Sequence, residues 1–222
     1  MRSTSARAAR RRSSSGPACS SSRAPAHRLT LAVAPLALNP VLAARLARAR
    51  AEQPRLRVRL RTVGREQVAA QVAAGEADLG LTDGITAPND PLRLPEAGPM
   101  TTVGVSDEEL VVALPPGHPL AGRAGLRLAD LIDARWLATP LCPLRRLRDL
   151  VGDGFRAGLD YRGDDVQTVR NLVAAGHGLT LLPASAGPGV PLAAPRLVHR
   201  VELLHPALPP GPAARLAAAL SP

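Results

Sequence analysis

The sequence predicts an α/β protein built as two lobes. Three observations lead there. The first third runs strand, helix, strand, helix, strand, which implies a parallel sheet with helices on its faces. Residues 56–62 alternate strictly, with Leu56, Val58, Leu60 and Thr62 facing one way and Arg57, Arg59 and Arg61 the other, the pattern of a half-buried strand. The second half then repeats an α/β pattern and closes with a return segment.

Each element follows from its residues. Leu29 to Ala34 reads as a buried strand of Leu, Val and small residues. Over 38–52, Leu38, Val41, Leu42, Leu46 and Ala49 recur at helical spacing, and Pro54 closes the helix. Gly64 turns the chain out of the alternating strand. A short helix over 66–74 then turns Val68, Ala69 and Val72 inward, and Gly75 is placed to end it in a left-handed cap. Ala77 to Thr82 forms the next strand. Residues 84–106, with four prolines (88, 91, 95, 99), read as loop. Leu110 to Leu114 is a strand, 126–133 a short helix and 136–138 a short strand. Residues 144–151 are helical, with Leu144, Leu147, Leu150 and Val151 on one face, and a further strand ends near Arg162. Asp164, followed three residues later by Gln167, reads as a capping box opening a helix that buries Val166, Val169, Leu172 and Val173. Gly176 ends that helix, and Gly178 to Pro183 turns into a buried strand. Residues 186–195 read as loop, 197–204 as strand and 212–220 as a last helix.

Composition excludes several functions. Aromatic residues are 1% of the chain, so stacking platforms for single-stranded nucleic acid are nearly absent. The net charge of +10 is unevenly spread. Residues 1–28 hold seven Arg and no acid, leaving 21 Arg against 18 acidic residues in the remainder. The globular part is therefore only mildly basic, and DNA binding by it is not expected. Residues 1–28 show no apolar period and are expected to form a disordered basic tail. The two cysteines, Cys19 and Cys142, make neither a disulfide framework nor metal-ligand spacing, which is consistent with a reducing, cytoplasmic setting. No apolar run reaches the roughly 18 residues that span a bilayer. The Arg-rich start before Leu29 to Ala34 imitates a secretion signal, but Pro35, Asn39 and Pro40 interrupt its apolar part. There is no Lys, no G-x-S-x-G elbow and no H-E-x-x-H, so no catalytic or metal constellation emerges and neither an enzyme nor a cofactor is expected.

Five motifs, in order, carry a resemblance. They are Leu46-Ala47-Arg48 through Pro54 with the alternating strand behind it; Ala74-Gly75-Glu76-Ala77-Asp78-Leu79; Glu109-Leu110-Val111-Val112 with Pro116-Gly117-His118-Pro119-Leu120-Ala121; Leu128-Ala129-Asp130-Leu131 with Trp136; and Val173-Ala174-Ala175-Gly176-His177-Gly178-Leu179-Thr180-Leu181-Leu182-Pro183. Over about residues 28–205 the chain resembles the effector-binding domain of LysR-type transcriptional regulators. The resemblance implies a periplasmic-binding-protein-like fold of two α/β lobes joined by crossover strands, with a small-molecule effector in the cleft between them. It divides the chain into the tail 1–28, a first lobe of 29–105 with 186–222, and a second lobe of 106–185. It also implies a homo-oligomer, dimer or tetramer, packed side by side through the first lobe, or pairing with full-length relatives. The stretch before the first strand carries no recognition helix. The chain is thus expected to be a truncated or stand-alone sensor that meets DNA only through a missing domain. The alternative is a secreted solute-binding protein of the same architecture.

In an open parallel sheet, ligands lie beyond the carboxyl ends of strands at helix N-termini. The candidate ligand-binding residues are Ala34, Pro35, Leu36, Gly64, Arg65, Thr82 and Asp83 in the first lobe, and Thr139, Pro140, Leu141, Asp164, Asp165 and Val166 in the second. Family members often carry Ser or Thr in the first loop to hold an effector carboxylate, where this chain has Ala34, Pro35 and Leu36. With Asp164 and Asp165 opposite, an anionic effector is less favoured unless Arg65 compensates, and Asp83 is a candidate partner for a cationic or polar one. Bland readings stand beside these. Asp164 is a helix cap before it is a ligand contact, Arg57, Arg59 and Arg61 are a solvated strand face or a dimer surface, Trp136 is a core anchor, and Cys142 packs as a small apolar residue.

Overall fold

The computed structural model describes residues 27–222. The expected tail lies outside them except at its end, because strand β1 (His27–Val33) already includes residues 27 and 28. Parallel pairing joins β1 to β2 (Leu56–Thr62) and to β3 (Leu79–Thr86). Helices α1 (Pro40–Glu52) and α2 (Arg65–Ala73) form the crossovers, as alternating strand and helix patterns require. The start of α1 is set by Asn39, whose side chain accepts from the Leu42 amide at 2.9 Å, with Pro40 in the first turn. Its buried face is Leu42, Leu46 and Ala49. Val41, expected inward, is instead 52% exposed, one position off that stripe. Helix α2 ends at Gly75, where φ is +71° and the Glu76 amide reaches back to the Gln71 carbonyl, so the expected left-handed cap is present.

The chain then departs from the sequence expectation. Residues 101–106, expected as loop, are strand. They are the first part of a long strand, β4 (Thr101–Ala113), which runs from one lobe into the other. Its first part pairs antiparallel with β10 (Val198–His205), and β10 pairs antiparallel with β3. Its last residues, 110–113, pair with β8 (Thr180–Pro183) and β9 (Val190–Ala194) in the second lobe. Residues 190–194, expected as first-lobe loop, form strand β9. They instead extend the second-lobe sheet through β5 (Leu126–Arg127), so the chain's return to the first lobe runs along β10. A short 3₁₀ turn, Leu128–Leu131, stands where a helix was expected. Beyond it, β6 (Arg135–Ala138) and β7 (Arg156–Asp160) pair in parallel, flanked by α3 (Leu144–Val151) and α4 (Val166–Ala174). Helix α5 (Pro212–Leu220) packs on α1 in the first lobe.

Three apolar clusters result. The first fills the first lobe around Leu31, Leu42, Leu79 and Leu216. The second fills the second lobe around Trp136, Phe155, Leu128 and Leu147. There Trp136 and Phe155 meet edge to face at 5.4 Å, and the Trp136 indole N–H donates to the Leu131 carbonyl at 2.9 Å. The third is small and joins the lobes: Leu36, from the turn after β1, sits among Leu137, Leu141, Val169 and Leu182.

Strand β2 is the edge of the sheet, which explains its exposure. Only Leu56 is buried, Val58 is half-buried, and Leu60, expected inward, is 45% exposed. The expected capping box also moves by one residue. Asp165, not Asp164, caps α4, accepting from the Thr168 amide at 2.7 Å, while the Gln167 side chain donates to Asn171.

Candidate functional site

A cleft of about 870 Å³ opens between the lobes. Its first-lobe wall is the start of α2 at Gly64 and Arg65, the middle of β3 at Asp83, and the loop after β3 at Arg93. Its second-lobe wall is the turn after β6 at Thr139 and Pro140, the start of α3, and the end of β7 with Tyr161 and Arg162. Neither α2 nor α3 receives a side-chain cap at its N-terminus, so their first-turn N–H groups face this space with a partial positive charge.

Asp83 is the most constrained charge in the site. All eight residues of β3 are buried, and Asp83 is only 1% exposed. A carboxylate in such a position is costly unless it is matched. The structure matches it from two sides. Arg65 donates to its Oδ2 at 3.2 Å, and Nε2 of buried His199, on the neighbouring strand β10, lies 2.8 Å from the same oxygen. Burial by itself would raise the Asp83 carboxyl, but the Arg65 charge, with help from the His199 hydrogen bond, holds it below its ordinary value of 3.8. An ionised Asp83 only accepts, so His199 Nε2 carries the hydrogen. The other ends of this chain are unpartnered: Asp83 Oδ1, Arg65 Nε and His199 Nδ1.

A second buried acid, Glu202, lies on β10, the strand next to β3. Glu202 on β10 accepts from the Leu92 amide at 3.0 Å and from Arg200 Nε at 3.2 Å, and Arg200 also bonds Asp107 on β4. These bonds tie the loop that carries Arg93 to the two strands that connect the lobes.

Of the residues expected to bind ligand, Gly64, Arg65, Asp83, Thr139 and Pro140 line the cleft together. The others lie elsewhere. Ala34 is buried in the first-lobe core, its amide on the Leu81 carbonyl, and Pro35 is half-buried beside it. Leu36, Leu141 and Val166 meet at the small cluster that bridges the lobes. Thr82 points away into the sheet, 1% exposed and with its hydroxyl unpartnered. Asp164 and Asp165 are exposed at the start of α4. Asp83, the candidate partner for a cationic or polar effector, has its charge already answered by Arg65 and His199.

Sequence reasoning missed Arg93, Arg145, Arg146 and Asp149. One signal was available. Two arginines in the first turn of a helix oppose its dipole, and α3 has no acid there to offset them. Arg146 is held by the Ile85 carbonyl at 3.0 Å and by the Thr86 hydroxyl, contacts between residues sixty positions apart that no local pattern announces. Among the described residues no group of His, Cys, Asp and Glu is placed to hold a metal ion, and no helix is long and apolar enough to cross a membrane.

Comparisons with known proteins agree with this architecture. A family model described as the LysR substrate binding domain matches residues 22–219. The DNA-binding transcriptional dual regulator OxyR of Escherichia coli K12 is 33% identical over 140 residues, covering 61% of this chain and 42% of that protein. A probable hydrogen peroxide-inducible genes activator of Mycobacterium avium is 33% identical over 170 residues, covering 72% of this chain and 50% of that one. The chain thus spans half or less of the length of these relatives. Among solved structures, the BenM effector binding domain with its effector benzoate superposes with a TM-score of 0.69 at 21% identity, covering 87% of this chain and 90% of that one.

Proposed function

From the premise that this chain belongs to the LysR substrate-binding domain family, we propose that it is the sensing part of a transcriptional regulator and that its effector enters the cleft between Arg65, Asp83 and Thr139. The observation that carries the reading is the buried Arg65–Asp83–His199 chain in the cleft wall. It links a ligand-facing guanidinium to β10, one of the two strands that run between the lobes. A ligand that prefers one arrangement of the lobes shifts their equilibrium by its difference in affinity, and β4 and β10 pass that bias to whatever DNA-reading domain acts with the sensor. The cleft volume falls in the usual range for small-molecule sites.

The Mycobacterium avium relative is named as a probable hydrogen peroxide-inducible genes activator, which raises thiol oxidation as a second reading. Cys142 argues against it. The residue is fully buried and burial pushes its thiol up, away from the thiolate that peroxide chemistry needs. Reversible ligand binding is therefore the reading preferred here. The same reading puts self-association on the first lobe, where edge strand β2 exposes Leu60 and α1 exposes Val41.

The test is thermal denaturation of the full chain against a broad panel of metabolites. A true effector raises the midpoint in proportion to the logarithm of its concentration. Pro140→Trp, at an exposed position of the cleft wall, should abolish that rise while leaving the ligand-free midpoint close to wild type. A ligand whose effect is indifferent to Pro140→Trp would move the site elsewhere.

A further inference from the structure

The long strand that leaves the first lobe carries one extra residue, and α1 is fastened to it there. Along β4 and β10 the register breaks at a single step. Ser106 stands opposite Val201 and Gly104 opposite Glu202, so Val105 has no partner on β10. On the other side of β10 the pairing with β3 runs unbroken through the same step, Val201 with Asp83 and Glu202 with Thr82. The irregularity therefore belongs to β4. A bulge of this kind interrupts the ladder, bends its strand and increases the local twist.

Backbone groups that a bulge takes out of the ladder need other partners. Helix α1 supplies one. Arg45 Nη1 donates to the Val105 carbonyl at 3.0 Å and also to the carbonyl of Leu220, the last residue of α5, at 2.8 Å. The next residue is held as well: Asn39 Nδ2 donates to the Ser106 hydroxyl at 2.8 Å, while Asn39 Oδ1 caps α1 through the Leu42 amide. Asn39 is buried, and so is Val105, whose side chain lies in the first-lobe core. Just beyond Ser106 the ties change lobe. The Ser185 amide donates to Glu108 at 3.3 Å, and Leu110 onward pairs with β8. Between the two sets lies Asp107, joined to Arg200 of β10 at 3.1 Å.

Taking the lobe motion of the sensor reading as premise, we infer that Asn39 and Arg45 are positioning residues that fix its pivot. They hold the Val105 bulge to the first lobe as one piece with α1 and α5. The change in backbone angle on opening then falls on Asp107 to Glu109. A hinge confined to a few residues turns the second lobe along one path, whereas a strand free to bend at the bulge as well gives it several.

Pulsed electron resonance on the ligand-free full chain tests this. Nitroxides at Ala74→Cys in the first lobe and Ala129→Cys in the second, both exposed, read the spread of lobe separations in a Cys19→Ser background. Arg45→Gln and Ser106→Ala should each broaden that spread. Amide exchange over residues 103–109 should also quicken in Arg45→Gln, by about tenfold or more, as loss of a charged donor implies. Arg48→Gln, which breaks only the exposed pair with Glu52 on the same helix, should change neither. Ser106→Ala removes a single hydroxyl and decides the matter if Arg45→Gln does not fold. An unchanged spread in a folded variant, or equal broadening by Arg48→Gln, overturns the inference and leaves the sensor reading intact. Faster exchange without a broader spread does the same, since it makes the two residues merely structural. If the variants behave as expected but no metabolite raises the melting midpoint, the sensor reading falls and the pivot stands.

Discussion

Replacing Asp83 with Asn removes one buried negative charge at nearly constant volume, and the structure states what should follow. Arg65 and His199 both converge on the Asp83 carboxylate, which is 1% exposed. Breaking a buried ion pair from one side typically costs 3–5 kcal/mol, because the partner's charge is left without its match. Arg65 is 23% exposed and recovers some hydration, and Asn keeps an acceptor oxygen, so the expected loss at pH 7 is lower, about 2–3 kcal/mol. The pH dependence has a definite sign. The folded-state Asp83 carboxyl lies below its ordinary value of 3.8, so its contribution is fully present above that value and is lost as pH falls through the folded value. The gap between wild type and variant should therefore be widest near neutrality and close in acid. Urea unfolding, followed by fluorescence of the single tryptophan, Trp136, and by circular dichroism, measures it at several pH values. Equal stability at pH 7, or a gap of constant size down to pH 3, would refute the account of Asp83 as a matched buried ion.

Three further outcomes follow from particular contacts. Asp165→Ala should lower the melting midpoint, since Asp165 caps α4 through the Thr168 amide; Asp164→Ala, one residue away and exposed, should leave it unchanged. In a Cys19→Ser background the remaining thiol, Cys142, should resist a thiol-reactive dye in native buffer and react fully in denaturant, because the side chain is buried and its thiol pushed up. Leu60→Glu should shift any self-association toward monomer in light scattering without lowering the melting midpoint, because the residue is 45% exposed on an edge strand.

The parts of the fold that announced themselves were those with a strong local period. Helix α3 has Leu144 and Leu147 on one face and α5 has Leu216 and Leu220, and both helices have the limits the sequence suggests. Gly75 and Gly176 each end a helix with positive φ where a glycine had been assigned that task. Strand β4 was only partly legible because Thr101 to Glu109 contains one fully buried residue, Val105; its strand state comes from pairing with β10, almost a hundred positions away, rather than from alternation. The same long range hid half of the cleft. Gly64, Arg65 and Thr139 were found because they follow strands or open helices, and Asp83 because it follows the expected strand Ala77 to Thr82, which in fact runs on to Thr86. Arg93 and Arg146 are placed by contacts to Glu202-bound loop backbone and to Ile85, which no window along the chain contains. His199 is not among the candidate residues, although a histidine within Val198-His199-Arg200-Val201 on a largely buried strand asks for a buried partner.

Leu36 makes the resting state of the molecule a question of populations. Drawing the lobes apart withdraws that side chain from Leu141 and Val169 and returns it to water, at roughly 1.5–3 kcal/mol. That alone sets a shut form ahead of a spread one by about ten- to a hundredfold, before any metabolite arrives. An incoming molecule would then have to wait for rare gaping or slip in from the rim, and its arrival rate, more than its grip, would bear the mark of one leucine.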